Sequence, residues 1–478
     1  MSLRIVHKWL IGLAIILLPI FNSVGSAGML GALGRSASTY PLLLGVLLWG
    51  GSVLLHRERI YYPKTKSVFF LLSFFIIAVF SGIFNLYDLS IARHQGFSGI
   101  GRFLIQLGAL FFYVLIAFYV YNFFRREEGT GGLFFARMIG FSFLLAGAYS
   151  FCELGSFMNI TFFSDILHFV DALFRPDNDY LYGLHIRSLT KEASMFAMYG
   201  ALILPWVLSY LFQRKGMMWN VLIVAYFILL MGLSFSRTAY VVFFIQILIF
   251  FFLHHKEFLY PNKYRFLPVL YVCIILAFLL IAIYFLNEEL FSKIDIEIIL
   301  GSLMNDDMEN PYSHSTVARF SSQIAALYMF FDHPIFGVGL GGFGFYASQY
   351  YPSWAGDNIE IIQQSANIVG GSWPLAHGLY ARILAEMGGI GLLFWVLLWG
   401  RSLLYIFSIH KYPSETHVQY RKNIGISIIG VLLIGFTGDS LTWASYWIYL
   451  GLLWAIEVEG VPYIDSERKK LYEYHHTE

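Results

Sequence analysis

The sequence predicts an all-α protein that crosses a membrane many times, and three observations support this class. The chain of 478 residues is 58% hydrophobic. Only 13% of its residues are charged, whereas a soluble domain has about a quarter. Its apolar residues form runs of roughly the 17–25 residues that a helix needs to cross the hydrocarbon core. A globular soluble protein is therefore excluded, and the net charge of +1 indicates no class of partner.

Twelve apolar stretches are predicted to be transmembrane helices. The first follows Arg4 and Lys8 and resembles a signal peptide, with Ser26-Ala27-Gly28 as a candidate cleavage site. Because further spans follow it, an uncleaved first helix is expected. Both cysteines, Cys152 and Cys273, lie in apolar segments, so neither a disulfide nor a thiol metal site is expected. The predicted spans are residues 8–25, 39–55, 67–87, 103–123, 131–154, 193–213, 217–235, 238–254, 267–286, 383–409, 423–437 and 440–457.

The distribution of basic residues predicts the orientation of these helices. With a cytoplasmic N-terminus, about two thirds of the 31 lysines and arginines fall in cytoplasmic segments. Both termini are therefore expected in the cytoplasm. Residues 1–286 would form nine helices with an external loop at about 155–192, residues 287–382 a large external loop, and residues 383–478 three helices and a cytoplasmic tail.

The large external loop contains a stretch with helical periodicity, Val317 to Phe331. Its spacing predicts an amphipathic helix that lies along the outer leaflet and ends at Asp332-His333-Pro334. The apolar face would consist of Phe320, Ile324, Leu327, Tyr328 and Phe331.

Three external arginines are candidates for binding an anion. Arg237 lies in the short turn Ser234–Thr238 between two apolar helices, where a permanently charged guanidinium requires an anionic partner. The alternatives are that it reaches the interface or pairs with a carboxylate such as Glu153 or Asp439. Arg319, on the loop helix, and Arg187, before the sixth span, are solvated residues in the simpler interpretation. If the three arginines and a lysine converged on one external vestibule, they would form a diphosphate clamp.

His377 precedes the tenth predicted span, where an imidazole can accept a proton near neutral pH. The alternative is an interfacial histidine held by hydrogen bonds. Arg382 and Glu386 have the i, i+4 spacing of a helical ion pair, which suffices to explain both.

The run Gly337-Val338-Gly339-Leu340-Gly341-Gly342 does not fit a nucleotide site, because no Lys-Ser/Thr follows it. Its glycines are expected to allow a tight turn and close backbone approach to a ligand or a helix. Nearby acidic residues and one histidine lack ligand-like spacing, so a polar patch is expected rather than a cation site. These residues are Asp306, Asp307, Glu309 and His314.

Several of these motifs, in this order, resemble those of the bacterial O-antigen ligase and polymerase family. The resemblance covers roughly residues 190–400. One departure is Gly378, which follows His377 where that family has an asparagine. The matching pieces are Ser236-Arg237-Thr238, Arg319, the segment from Pro334 to Phe343, and His377 with Leu384-Ala385-Glu386-Met387-Gly388 and Gly391.

The resemblance implies a GT-C-like fold and glycosyl transfer at the outer face of the inner membrane, without metal or cofactor. It assigns catalysis to His377 as the proton acceptor and to Arg237 and Arg319 as stabilisers of the leaving diphosphate. The implied partners are an undecaprenyl-diphosphate-linked oligosaccharide donor and acceptor, membrane lipids and a chain-length regulator, with no nucleic acid. The implied substrate-binding residues are Arg187, Lys191, Glu192, Ser236, Gly339, Gly341, Arg382 and Glu386.

Within this family, Lys191-Glu192-Ala193-Ser194 favours a polysaccharide polymerase over a ligase that transfers the glycan to lipid A–core. A glycosyltransferase that uses polyprenyl-phosphate sugars usually has a carboxylate in its first external loop, and Ser26 to Ser38 has none. A lipid-glycan flippase would need charges deep in several spans and no long external loop.

Overall fold

The structure, a computed structural model, describes residues 3–21, 33, 36–56, 59–127, 131–174, 185–212, 216–254, 311–369, 371–408 and 415–459. The predicted span 267–286, residues 287–310 of the large loop, and the tail beyond residue 459 lie outside the described residues, as do the side chains of the acidic patch around residues 306–314. The described residues are mostly helical, which confirms a polytopic helical membrane protein. Five helices there are long and apolar enough to cross a membrane by length and composition.

The helices coincide with the apolar runs of the sequence. Eleven of the twelve predicted spans overlap a helix within the described residues, and the count of twelve remains a prediction. The first half of the chain contains α1 Leu3–Ile16, α2 Thr39–His56, α3 Lys66–Phe84, α4 Leu86–Ile91, the hairpin strands β1 Arg93–His94 and β2 Phe97–Ser98, α5 Gly99–Arg126, α6 Gly131–Phe157, α7 Thr161–Phe174, α8 Ala193–Leu208, α9 Met217–Gly232 and α10 Arg237–Leu253. The second half contains α11 Pro311–Asp332, α12 Phe343–Tyr350, α13 Ile359–Ser365, α14 Leu379–Ser408, α15 Glu415–Ile434 and α16 Ala444–Glu459.

Helices from the two ends of the chain interleave. The most extensive pairings join α16 to α5 and α14 to α3, while α15 packs on both α8 and α10. Buried tryptophans fill these contacts, with Trp395 5.2 Å from Phe74 and Trp454 5.2 Å from Phe118 between ring centroids. Each such aromatic pair contributes about 0.5–1.5 kcal/mol beyond its buried area. Helices α14 and α16 are therefore held mainly by helices from the first third of the chain, and α15 by helices from its middle.

Exposed apolar side chains cover the sides of the bundle. Leu47, Leu54, Phe69, Leu144 and Phe252 are each more than 60% exposed. A soluble protein rarely exposes so continuous an apolar surface, whereas a transmembrane helix presents one to lipid.

A buried glutamine joins three helices inside the bundle. The Nε2 group of Gln246, on α10, donates to the carbonyl oxygen of Ala201 on α8 at 2.8 Å and to that of Ile426 on α15 at 2.9 Å. An amide buried among apolar side chains is tolerated only where such partners satisfy it. This contact fixes the helix that begins at Arg237 against its two neighbours.

The loop helix α11 ends at Asp332, as the sequence predicts. Its small residues Ala318, Ala325 and Ala326 are fully buried, whereas Phe320 and Phe331 are 60% and 69% exposed. The small-residue face packs on α12, α13 and α14. The apolar face predicted from the sequence therefore points away from the protein, as expected for a helix that borders lipid.

Helix α14 is broken at Gly388, whose φ of 68° and ψ of −171° are not helical. The break exposes helical carbonyl groups that the glycine-rich segment satisfies. Val338 N donates to Ala385 O at 2.8 Å and Gly339 N to Glu386 O at 3.1 Å, while Gly389 N donates to Pro334 O at 2.8 Å. Irregular backbone at membrane depth is stable only when neighbouring protein satisfies it in this way.

Candidate functional site

Four segments meet at one end of the bundle, which we call the site end: residues 185–192, 233–237, 371–379 and 435–443. Ile186 N donates to Leu233 O at 2.9 Å, and Leu379 N donates to Gly435 O at 2.7 Å. Phe21 joins these two pairs of segments. Its backbone oxygen accepts a hydrogen bond from Lys191 N, and its ring contacts the Trp443 ring edge-on, with 6.1 Å between centroids. The site end therefore brings together segments that are far apart in the sequence.

His377 is held at the site end through a hydrogen bond to its backbone carbonyl oxygen. Gln323 of α11 donates through Nε2 to His377 O at 2.8 Å and to Phe436 O at 2.9 Å. His377 has a φ of 51°, in the left-handed region that a side chain with a Cβ rarely adopts. The amide of Gln323 thus connects three parts of the protein. These are helix α11, which carries Arg319, the candidate base His377, and the segment after α15.

Gly378, which follows the candidate base, is closely surrounded. A Cβ at this position would lie 3.1 Å from Gln323 Nε2 and 3.1 Å from Phe436 O. Both neighbours are fixed by the hydrogen bonds of Gln323. A side chain at this position would therefore compete with the contact that holds His377.

The imidazole of His377 faces α13. Its Nε2 atom lies 3.6 Å from Glu360 Oε1, and the His377 side chain is 14% exposed. Nε2 is buried and has no hydrogen-bond partner within the described part of the chain. At 3.6 Å the contact is an ion-pair distance rather than a hydrogen bond.

Arg319 and Arg237 have no carboxylate partner in the part of the chain that the structure describes. Arg319 is half-buried on α11, one turn before Gln323. Arg237 is exposed and is the first residue of α10, whose N-cap, Ser236, makes no side-chain capping hydrogen bond. A helix N-terminus beside a guanidinium favours an anion, because its free N–H groups and dipole add to the positive charge. Helices α10 and α11 share no extensive interface, although each packs on a helix beside the segment 435–443.

Arg187, by contrast, is part of a buried ionic network. It is 3% exposed, and its guanidinium lies 3.8 Å from Asp171 Oδ2. Tyr149 donates its hydroxyl to Asp171 Oδ1 at 2.6 Å, and Ser188 N donates to Glu153 Oε2 at 2.9 Å. Glu153, which the sequence offered as a partner for Arg237, is instead engaged by the segment around Arg187. An incoming diphosphate would have to displace Asp171 to bind Arg187.

The two residues after this network take different positions. Lys191 is exposed, and Glu192 is the N-cap of α8 and accepts a hydrogen bond from Ser194 Oγ at 3.3 Å. Lys191 is therefore available to solvent at the site end, whereas Glu192 helps to begin a helix.

Arg382 and Glu386 form the ion pair that their spacing predicts, with Arg382 Nε 3.0 Å from Glu386 Oε2. The same guanidinium donates to Asp439 O at 2.9 Å and to Gln106 Oε1 at 3.2 Å. The pair joins α14, α5 and the segment 435–443, so both charged groups are already paired or hydrogen-bonded within the protein.

The glycine run packs closely against the broken helix α14. Gly337, Gly339 and Gly341 all have positive φ, and a Cβ at Gly337 would lie 2.4 Å from the backbone oxygen of Ala385. Asn85 Nδ2 donates to Gly337 O at 2.9 Å. The run therefore fits the break in α14 and docks it on the chain's first third.

The segment that leads to His377 is anchored by the β1–β2 hairpin. Gln95 Nε2 lies 3.2 Å from Ala366 O and 3.0 Å from Ser372 O, and Gln95 N donates to Asn367 Oδ1. The guanidinium of Arg102 stacks on the Trp373 ring at 3.5 Å. We call residues 366–376 the strap, and this anchor fixes it immediately before His377.

Backbone strain concentrates around these segments. Of the five non-glycine residues with positive φ among the described residues, four adjoin the site: Gln95, Ser188, Phe235 and His377. Each such residue costs about 1–3 kcal/mol and persists where the surroundings demand it, commonly at functional sites. Gln95, Gln323 and Glu360 could not be identified from the sequence, because each contacts residues that are distant along the chain.

A cleft at the site end has about 530 Å³ of empty space, part of it open to solvent. Phe21, Thr190, Met195, Met198 and Trp443 are among its lining residues. Methionine and aromatic side chains make an adaptable apolar surface. Within the described residues, no group of three or more His, Cys, Asp or Glu side chains is placed to hold a metal ion.

The fold defines a polytopic helical membrane protein with an apolar cleft at one end of the bundle. The family model described as O-antigen ligase matches residues 222–396, which include Arg237, Arg319, His377 and the glycine run. This match supports the family of O-antigen ligases and polymerases over that region, and it does not separate the two activities. No curated protein matches the chain.

Proposed function

We propose that the chain is a polysaccharide polymerase that transfers an undecaprenyl-diphosphate-linked glycan onto a second lipid-linked repeat unit. The family match supports a role in processing O-antigen or another surface polysaccharide. The finer choice of polymerase rests on the segment Lys191-Glu192-Ala193-Ser194. We place the site end at the periplasmic face of the inner membrane, with both termini in the cytoplasm, on the distribution of basic residues.

The observation that carries the proposal is the contrast among the arginines. Arg187 and Arg382 are paired with carboxylates. Arg237 and Arg319 have none within the described residues, and each lies on a segment or helix that borders the site end. Unpaired guanidiniums bind diphosphate strongly, because their paired N–H groups match its oxygens. The leaving group of the proposed reaction supplies the missing negative charge.

The chemistry follows from these groups. A hydroxyl of the acceptor glycan attacks the anomeric carbon of the donor, and the bond from that carbon to the diphosphate oxygen breaks. The electron pair stays on undecaprenyl diphosphate, where Arg237 and Arg319 stabilise it. His377 accepts the hydroxyl proton. The apolar cleft lined by Met195, Met198 and Trp443 suits the isoprenoid part of the substrate.

The test is the glycan profile of a deletion strain that carries variants of the full-length chain. We expect Arg237→Ala and Arg319→Ala each to abolish long chains, since removing one charge-stabilising donor costs about 2.7–4 kcal/mol of transition-state stabilisation. Arg237→Lys should restore only part of the activity, because an ammonium cannot bind a phosphate through a planar fork.

Arg93→Ala is the matched control. Its guanidinium is exposed and, within the described part of the chain, donates to backbone carbonyls of its own segment, Ser90 O and Ala92 O. The same loss of charge on the same face should leave chain length unchanged. Normal long chains in both Arg237→Ala and Arg319→Ala would refute the assignment of the site.

An O-antigen ligase is the second candidate, because the family match covers both activities. The deletion strain separates them. A missing polymerase leaves single repeats attached to lipid A–core, whereas a missing ligase leaves long chains that remain on the lipid carrier.

A further inference from the structure

We infer that Glu360 is a positioning residue that orients the imidazole of His377 and fixes which ring nitrogen accepts the proton. The inference rests on the proposed function, in which His377 is the base. It starts from the buried Nε2 atom of His377, which faces Glu360 Oε1 at 3.6 Å.

The carboxylate of Glu360 is itself held in place. Gln364 donates through Nε2 to Glu360 Oε1 at 3.2 Å, and Tyr351 donates its hydroxyl to Gln364 Oε1 at 3.2 Å. Asn358 caps α13 by accepting from Glu360 N at 3.0 Å. Gln364 therefore holds the Glu360 carboxylate, which is 36% exposed, beside His377. Tyr351 in turn holds Gln364, and Asn358 fixes the start of α13.

The contact selects a tautomer. The nitrogen of a histidine that donates to a carboxylate carries the proton, and the other nitrogen keeps its lone pair. When this 3.6 Å contact shortens to a hydrogen bond from Nε2–H on substrate binding, Nδ1 is the atom that accepts the proton of the acceptor hydroxyl. The imidazolium formed in that step is then stabilised by the Glu360 carboxylate. Catalytic contacts in an empty site are often long and tighten when substrate binds.

Other charged groups surround this pair. Tyr351 lies close enough that Glu360 adds to the effect of burial, and both raise the pKa of the Tyr351 hydroxyl. Tyr380 and Arg382 begin α14 beside His377, and Arg319 lies on α11. Arg382 is already engaged by Glu386 and by the backbone of Asp439. Among the described groups, Glu360 is the carboxylate recorded at ion-pair distance from the His377 ring.

The experiment measures kcat and KM of the purified full-length chain in lipid with a synthetic undecaprenyl-diphosphate donor and acceptor. Glu360→Gln keeps the shape of the side chain and removes its charge. We expect kcat to fall by about tenfold or more, a part of what general acid–base catalysis contributes, with KM for the donor nearly unchanged. Glu360→Asp should recover part of kcat, and Tyr351→Phe should lower it in the same direction but less.

Asp357→Asn is the matched control, because Asp357 is an exposed carboxylate three residues before Glu360. It should behave as wild type. His377→Asn separates the two levels of the inference, since asparagine tolerates left-handed backbone but cannot accept the proton. If His377→Asn is inactive while Glu360→Gln keeps wild-type kcat, the role of Glu360 is refuted and the proposed base stands. If His377→Asn is active, the proposed base is refuted. If Glu360→Gln lowers thermal stability and raises KM as well as lowering kcat, the role of Glu360 is purely structural and the inference is refuted.

Discussion

The amide of Gln323 shows how much of the site depends on one side chain. It donates to two carbonyl oxygens, those of His377 and Phe436, and it lies one turn after Arg319. The sequence suggested Arg319 and His377 separately, from their types and positions. The connection between them could not be predicted, because it depends on a contact across 54 positions of the chain.

Gly378→Ala tests this connection. The added methyl group would meet Gln323 Nε2 and Phe436 O at 3.1 Å, so we expect a loss of about 1–3 kcal/mol of stability from overpacking, together with shorter glycans. The measurement is thermal unfolding in detergent alongside the glycan profile. Gly356→Ala, whose Cβ would meet its nearest atom at 3.4 Å, is the control and should be neutral. Wild-type stability and chain length in Gly378→Ala would contradict this account.

At the scale of elements, the break in α14 explains the glycine run. Apolar periodicity predicted the helices well, since length and hydropathy determine where a chain can span lipid. The interruption at Gly388 was not predicted, because a single glycine in an apolar stretch does not reveal its φ. The glycine-rich segment was expected to approach a ligand or a helix, and Gly337 packs on the backbone of Ala385 in α14.

Tyr350 fixes the neighbouring end of α11. Its hydroxyl donates to Asp332 Oδ2 at 2.8 Å. Burial, with a contribution from Asp332, raises the pKa of Tyr350 to about 12, so the hydroxyl remains a donor at neutral pH. The end of the loop helix and the glycine run that follows it are therefore both anchored.

Gly388→Ala should destabilise the protein strongly. Its backbone conformation is open mainly to glycine, which costs another residue about 1–3 kcal/mol, and a Cβ would lie 2.2 Å from Ile335 O. Thermal unfolding and yield in membranes measure the effect. Gly400→Ala lies on the same helix with no atom within 4 Å of the new Cβ, and it should be neutral or slightly stabilising. Equal behaviour of the two variants would contradict the break as described.

At the scale of the whole molecule, the site is assembled from parts well outside the matched region. Residues 222–396 carry the candidate catalytic groups. Other residues of this matched region are contacted from outside it, by residues of the first quarter of the chain and by residues beyond position 396. These are Asn85, Gln95, Gln106, Phe436 and Asp439. The order of the motifs indicated a shared site but could not show which helices frame it.

The proposed orientation predicts which end of the bundle faces the periplasm. In a chain with Cys152 and Cys273 replaced by alanine, Trp354→Cys should react with a membrane-impermeant maleimide in intact spheroplasts, since Trp354 is 54% exposed near the site end. Lys64→Cys, exposed between α2 and α3, should react only after permeabilisation. The opposite labelling pattern would show that the site end faces the cytoplasm and would contradict the proposed orientation.

The hairpin that anchors the strap has a consequence for exchanging parts between relatives. Gln95 and Arg102 lie outside the region that the family model matches. Gln95 forms hydrogen bonds with the backbone of the strap, and Arg102 stacks on Trp373. A chimera that imports only the recognised region would receive a strap without its matching anchor. Recombination within this family would therefore preserve the histidine's placement only when the short hairpin travels with the distant segment it holds.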